Sequence, residues 1–298
     1  MQLKRLRFAV PNGSLKEVTL ALLRKIGYPL PTTVGRDNRL GIIHDIVFEV
    51  RDRENIASLV CAGVFDCGIT GTDLRLGENA AAANVKVLCT LQYSRQTTRP
   101  VEYVLAGRTG ITRLQWEGME KRRVGAERVA LARHILGDRL RPDDVIVQLP
   151  GCEEMAVRDG LCDAVLVMTE TGSSIKANNM EIIYPELLVS TPELLYCPGI
   201  TDGSSLHQQI ENIGHALQAI LGAEGQIMVV FNIPTPRLPE LKERLPAAVS
   251  PTISQTLDPE WRAGQVLIPR QRFGEVLRLL KESGASEIYM QDVDGYLP

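Results

Sequence analysis

Short apolar runs recur along the chain, each closed by glycine, asparagine or threonine and followed by a segment whose apolar residues return every three or four positions. Residues 6–10 are the first such run, and Pro11-Asn12-Gly13 turns the chain after it. Leu15, Val18, Leu22 and Ile26 then share one helical face, and Gly27 supplies the stop. Ser14-Leu15-Lys16-Glu17 has the spacing of a capping box, so Ser14 is expected to cap that helix. Further strands are expected at 42–50, 64–70 and 87–91, with a short helix over 55–61. Strands alternating with helices predict an α/β lobe with a largely parallel sheet, whose ligands gather beyond the carboxyl ends of strands. Asn12-Gly13 and Gly71-Thr72-Asp73 both fall at such ends.

The polar stretch 94–100 reads as a crossing into a second lobe that repeats this logic. Its strands are expected at 102–106, 124–126, 145–149 and 164–168, with helices over 128–136 and 153–158. Extended segments at 182–184 and 194–197 follow, the chain returning to the first lobe. Leu206, Ile210, Ile213, Leu217 and Ile220 then form the stripe of a long amphipathic helix. From about residue 226 the rhythm becomes βαββαβ, the ferredoxin-like order, which hosts many unrelated roles. The expected division is 1–98 as lobe I with 186–224 returning to it, 99–185 as lobe II, and 225–298 as a separate small domain.

A length of 298 residues agrees with more than one domain, and 44% apolar with 23% charged residues is a globular composition. The net charge of −3 gives no electrostatic footprint for nucleic acid, and no run is long and apolar enough for a membrane span. The six cysteines never form a C-x-x-C pair, and the four histidines are isolated. They read as scattered thiols and structural imidazoles in a reducing cytoplasm, with no metal site among them. Trp116 and Trp261 read as packing residues.

Candidate chemistry concentrates in residues 163–179, DAVLVMTETGSSIKANN. An apolar strand runs into Thr-Glu-Thr-Gly-Ser-Ser and then into a helix-compatible segment. Backbone N–H groups at a helix start, with the Thr171, Ser173 and Ser174 hydroxyls, suit a phosphate monoester, and Gly172 permits close approach. The same residues serve equally well as a helix cap with no ligand.

The order and spacing of several motifs resemble the long form of ATP phosphoribosyltransferase, the first enzyme of histidine biosynthesis. They are the opening strand with Pro11-x-Gly13-x-Leu15, Asp66 to Gly71, Gly151-Cys152-Glu153-Glu154 with Gly160 and Asp163-Ala164, Thr171 to Ser174 with Ala177-Asn178, and Ser250-Pro251-Thr252 with the 280–285 segment. The resemblance implies a two-lobed, type II periplasmic-binding-protein-like catalytic part with its active site in the cleft, plus a ferredoxin-like regulatory domain that takes histidine as effector. It further implies ATP and phosphoribosyl pyrophosphate as substrates, Mg²⁺, a homodimer or homohexamer, and a cytoplasmic location. By the same match Thr171, Gly172, Ser173 and Ser174 hold the 5-phosphate, and Glu154 reaches the ribose or its metal. Arg39, Gly71, Thr72, Asp73 and Glu170 are further cleft candidates, Arg39 reading equally as a surface arginine.

The chain departs from the family pattern where Ser14, Thr72, Glu102 and Val167 replace charged residues or residues of opposite charge, and where Glu127-Arg128 replaces an aromatic-proline element. Glu170, Asp73 and Lys176 lie close in sequence to the vacated places. A second reading therefore stays open: a non-catalytic descendant whose cleft binds a small molecule as a sensor or regulatory subunit.

Overall fold

A strand that is apolar on both faces needs cover on both, and the core of the first sheet is built that way. β1 (Leu6–Pro11) runs parallel to β3 (Ile46–Arg51) on one side and to β4 (Cys67–Gly71) on the other. Phe8, Ala9 and Val10 are fully buried, and so is every residue of β4. The computed structural model describes residues 5–33, 38–77, 84–93, 101–149, 151, 153–169, 172–244 and 251–297. The polar crossing expected at 94–100 lies outside them.

The stretch 42–50, expected as one strand, is two. β2 (Arg39–Ile43) folds back antiparallel on β3, with Ile43 opposite Ile46. His44 and Asp45 between them have φ of 50° and 62°, the left-handed pair of a two-residue hairpin turn. The apolar flanks of that turn hid it from a reading of periodicity.

The helix after β1 also starts differently from expectation. α1 (Lys16–Lys25) is entered through a 3₁₀ turn at Gly13–Leu15, and its N-cap is Leu15, without a side-chain bond. No capping box forms; the Ser14 hydroxyl instead accepts from Arg53 Nη1 at 3.0 Å. The buried face is Thr19, Leu20, Leu22 and Leu23 rather than a stripe through Val18 and Ile26. Thr19 can be buried because its hydroxyl donates to the Leu15 carbonyl at 2.8 Å and meets the Tyr93 hydroxyl at 2.7 Å.

α2 (Ile56–Cys61) and α3 (Thr72–Gly77) follow β3 and β4, and the sheet is completed by β5 (Lys86–Thr90) and β11 (Pro192–Tyr196). β11 inserts antiparallel between β4 and β5, giving the order β2-β3-β1-β4-β11-β5. The second sheet comprises β6 (Val101–Arg108), β7 (Arg123–Ala126), β8 (Val145–Gln148), β9 (Ala164–Thr169) and β10 (Met180–Ser190), ordered β10-β6-β9-β7-β8. β7, β8 and β9 are parallel, while β6 and β10 are antiparallel additions. Two α/β sheets, the first finished only after the chain has built the second, are the two-lobed periplasmic-binding-protein-like arrangement.

α5 (Val129–Leu136), α6 (Glu153–Arg158) and α7 (Ser173–Ala177) cover this sheet where helices were expected or compatible. α4 (Arg113–Gly118) was not foreseen, although Thr112 and Gln115 form a reciprocal capping box at its start. Its Trp116 is buried, and the Arg122 guanidinium carbon lies 4.8 Å from the ring centroid. Arg122 is paired with Asp144 through Nε at 3.0 Å, at 2% and 1% side-chain exposure. The backbone N–H groups of Arg122 and Arg141 also donate to that carboxylate.

α8 (Ser205–Ala223) buries Ile210, Ile213 and Leu217. The chain divides into two compact units, Met1–Leu217 and Gln218–Pro298. In the second, β12 (Gln226–Pro234), α9 (Leu238–Arg244), β13 (Thr252–Gln255), β14 (Trp261–Pro269), α10 (Phe273–Glu282) and β15 (Ser286–Asp292) give the expected βαββαβ order. Its antiparallel sheet runs β13-β14-β12-β15. Burial alternates residue by residue along β12, and Ile227, Val229, Phe231 and Ile233 pack against α9 and α10. Gly264 leaves room for the Phe231 ring, 2.4 Å from where a Cβ would stand.

Removing Asp144 strands the Arg122 charge in the core. Asp144→Ala should cost about 3–5 kcal/mol in urea unfolding, and replacing both partners by apolar residues should recover most of it. Burial raises the Asp144 pKa, but the Arg122 and Arg141 hydrogen bonds overcome that and hold it below the ordinary value. The wild-type advantage over the apolar double variant should therefore be complete above the unfolded aspartate value of about 3.9 and drain away as the pH falls through the lower folded value.

Candidate active site

β1, β3 and β4 end at one edge, and the loops that leave them line a cleft of about 730 Å³. Asn12, Gly13 and Ser14 come from β1, Asp52, Arg53 and Glu54 from β3, and Gly71 and Asp73 from β4 and α3. The facing wall belongs to the second sheet, with Tyr103 of β6, Met168 of β9, and Glu127 and Arg128 after β7. A site at the carboxyl ends of parallel strands is what an α/β sheet offers, because there the backbone leaves its ladder and polar groups can turn inward.

Several of these groups are held by short local bonds. The Asn12 N–H donates to the Arg51 carbonyl at 2.9 Å, and its side chain accepts from the Arg53 N–H at 3.1 Å. Ser190 Oγ donates to Asp73 Oδ1 at 2.5 Å, and Tyr103 OH donates to Asp73 Oδ2 at 3.0 Å. Burial, and then the negative Asp73, push the Tyr103 phenol well above its ordinary pKa, so it remains a donor. A Cβ on Gly71 would fall 2.5 Å from Asp73 Oδ1 and displace that carboxylate from its bond to Ser190.

Arg128 reaches across the cleft. Its Nη2 donates to Glu54 Oε1 at 2.9 Å, and its Nη1 lies 3.6 Å from Asp73 Oδ2. One arginine of the second sheet thus ties two carboxylates of the first.

The sequence-derived candidates separate into groups. Gly71 and Asp73 line the cleft. Thr72 is turned away from it: its hydroxyl is shared by the Thr191 carbonyl and Glu193 Oε1, each at 3.0 Å, and Glu193 is also paired with Arg75. Arg39 opens β2, is exposed and is not among the cleft-lining residues. Gly172, with φ 70°, borders a second concavity of about 780 Å³ with Thr169, Lys176, Glu102 and Asn179. Successive residues of a strand face opposite ways, so Tyr103 looks into the cleft while Glu102 and Val104 look into this second hollow. The Gly172 N–H donates to Thr169 Oγ1 at 2.8 Å and so is already used. Ser173 and Ser174 begin α7 and are exposed. Val167 packs with Val104, Val157 and Ile175, so an apolar residue suits its place. Glu170, Thr171 and the Glu154 side chain lie outside what is described; the Glu154 backbone belongs to α6.

Sequence reading passed over Arg53, Glu54, Tyr103 and Ser190 and noted Glu127-Arg128 only as a departure. The signal for the first two was available: Asp52-Arg53-Glu54 is a charged triplet directly after an apolar strand. Tyr103 and Ser190 carry no such signal, because their role comes from pairing across the lobes.

The chain matches the family model for ATP phosphoribosyltransferase over residues 52–219 and that for the C-terminal domain of the same enzyme over 223–294. ATP phosphoribosyltransferase 1 of Geobacter sulfurreducens is 30% identical over 95% of this chain and 96% of its own length. The ATP phosphoribosyltransferase of Thermodesulfovibrio yellowstonii is 29% identical over 100% of both chains. A chain from the solved ATP phosphoribosyl transferase HisG:HisZ complex of Thermotoga maritima aligns with a TM-score of 0.57 at 22% identity, covering 72% of this chain and 96% of that one, a likeness of fold. With tandem matches along its length and relatives aligned from end to end, the chain belongs to the ATP phosphoribosyltransferase family.

Proposed function

We propose that the chain joins N1 of the adenine of ATP to C1 of the ribose of phosphoribosyl pyrophosphate, releasing pyrophosphate and forming phosphoribosyl-ATP, the first step of histidine biosynthesis. The observation that carries this is the tandem family match, supported by relatives bearing the enzyme's name over 95% or more of the chain. That continuity disfavours the reading as a non-catalytic sensor.

Displacement at an anomeric carbon develops positive charge on the sugar and negative charge on the leaving pyrophosphate. It needs positioned charge of both signs rather than a protein nucleophile. The cleft offers both, with Asp52, Glu54, Asp73 and Glu127 beside Arg53 and Arg128. Tyr103, fixed as a donor, keeps the Asp73 carboxylate oriented instead of acting as a base. A magnesium ion carried on the substrate's phosphates would need only one or two protein carboxylates. Asp52 or Glu127, each lining the cleft, could supply such a carboxylate, and the ion would neutralise charge on the leaving group.

By family resemblance Thr171, Gly172, Ser173 and Ser174 hold the 5-phosphate and Glu154 reaches the ribose or its metal. The exposed Ser174 and the left-handed Gly172 at the start of α7 support the first assignment, on the side of the second concavity. The same resemblance carries the proposals of a histidine effector acting through the C-terminal domain, of a homodimer or homohexamer, and of a cytoplasmic location. Among the described residues, no helix is long and apolar enough to cross a membrane.

Purified protein given ATP, phosphoribosyl pyrophosphate and Mg²⁺ should form phosphoribosyl-ATP, followed by its absorbance; no product from folded protein would end the catalytic reading. Thr171→Ala with Ser174→Ala should lower kcat/KM for phosphoribosyl pyrophosphate by about fivefold to a hundredfold, two lost phosphate hydrogen bonds being worth about 1–3 kcal/mol together. An unchanged value would remove the loop from the site. Arg128→Met should widen the substrate-free cleft, read as a larger radius of gyration in solution scattering. Its effect on kcat/KM should stay within about tenfold, the scale of a partly exposed ion pair.

A further inference from the structure

We infer that Arg53 binds the polyphosphate of a substrate in the cleft, an assignment that rests on the phosphoribosyltransferase reading above. Most half-buried or buried arginines of the first unit sit against carboxylates, and Arg24 instead donates to the Leu30 and Pro31 carbonyls. Arg7 and Arg51 share Glu49, Arg75 has Glu193, Arg122 has Asp144, and Arg128 has Glu54. Arg53 is half-buried as well, yet among the described residues its guanidinium makes one hydrogen bond, to the neutral Ser14 hydroxyl. A guanidinium carries five N–H donors, and holding its charge partly out of water without a counter-charge is unfavourable.

The carboxylates adjacent in sequence do not neutralise it. Asp52 Oδ1 accepts the Glu54 N–H at 3.1 Å, and Glu54 Oε1 accepts from Arg128 at 2.9 Å. Arg53 is nevertheless firmly placed. Its N–H donates to Asn12 Oδ1 at 3.1 Å, and its carbonyl accepts from Thr70 Oγ1 at 2.7 Å. Its side chain lies over Gly13, 3.7–3.8 Å from where a Cβ would stand. A fixed, uncompensated guanidinium lining a cleft is preorganised for an anion, and its planar fork matches phosphate oxygens bidentately. Two substrates carry such a group: the pyrophosphate of phosphoribosyl pyrophosphate and the triphosphate of ATP.

Titration calorimetry on the full chain and on Arg53→Met and Arg53→Lys tests this, with ATP and phosphoribosyl pyrophosphate, each with Mg²⁺, and with inorganic pyrophosphate. Arg53→Met should weaken at least one ligand by about tenfold to a hundredfold, the range for losing a charge-assisted contact. Arg53→Lys, which keeps the charge but not the fork, should recover part of that loss. Should Arg53→Met melt early by circular dichroism, the lysine variant decides by the same comparison with wild type. Weakening confined to ATP or to phosphoribosyl pyrophosphate identifies which polyphosphate Arg53 holds. Unchanged affinities for all three ligands, or a wild type that binds none of them, overturn the inference. If wild-type protein never forms phosphoribosyl-ATP while the variant still loses affinity, the enzymatic reading falls and the Arg53 site stands.

Discussion

The burial of β4, and of most of β1 and β3, on both faces is the constraint from which the rest follows. A strand covered on both sides has no lateral position for a solvated polar group, so its polar chemistry is displaced to the loops beyond its carboxyl end. That is where Asn12, Arg53 and Asp73 stand. The apolar pattern that makes the core therefore also decides where the cleft lies.

Charge in this unit is graded by depth. The deepest charges are closed in by partners: Arg122 and Asp144 are both buried, and the buried Glu49 is met by two partly exposed arginines. Their purpose is local: a buried charge without a partner is destabilising, and pairing removes that penalty without adding much. Toward the cleft the pairs loosen and cross between lobes. Arg128 has partial exposure and two carboxylates at different distances, so its contacts can be exchanged at small cost. Tyr103 and Ser190, by contrast, hold Asp73 with short bonds, and that carboxylate has little freedom to reorient.

How much of this was legible in the sequence depended on whether neighbours in the chain or neighbours in space set the outcome. The α/β alternation and the βαββαβ order follow from apolar periodicity, which is local information. The hairpin turn at His44-Asp45 was missed because its flanks are apolar and neither turn residue is glycine. The Ser14 capping box matched a local pattern that a distant group overrode: Arg53 takes the hydroxyl, and the helix starts through a 3₁₀ turn instead. Thr72 reads as a cleft residue by position after its strand, but Thr191 and Glu193, more than a hundred residues away, claim its hydroxyl. Cleft residues that follow strands can be found by rule; those that depend on the meeting of two lobes need coordinates.

The position of β11 bears on how the chain is assembled during synthesis. Pro192–Tyr196 is the strand that separates β4 from the edge strand β5, so β5 has no strand to pair with in the first sheet until those residues have left the ribosome. The second sheet uses only residues between Val101 and Ser190 and has every strand it needs before that moment. The second sheet is thus free to mature first, and the first sheet waits for a late strand to seal it.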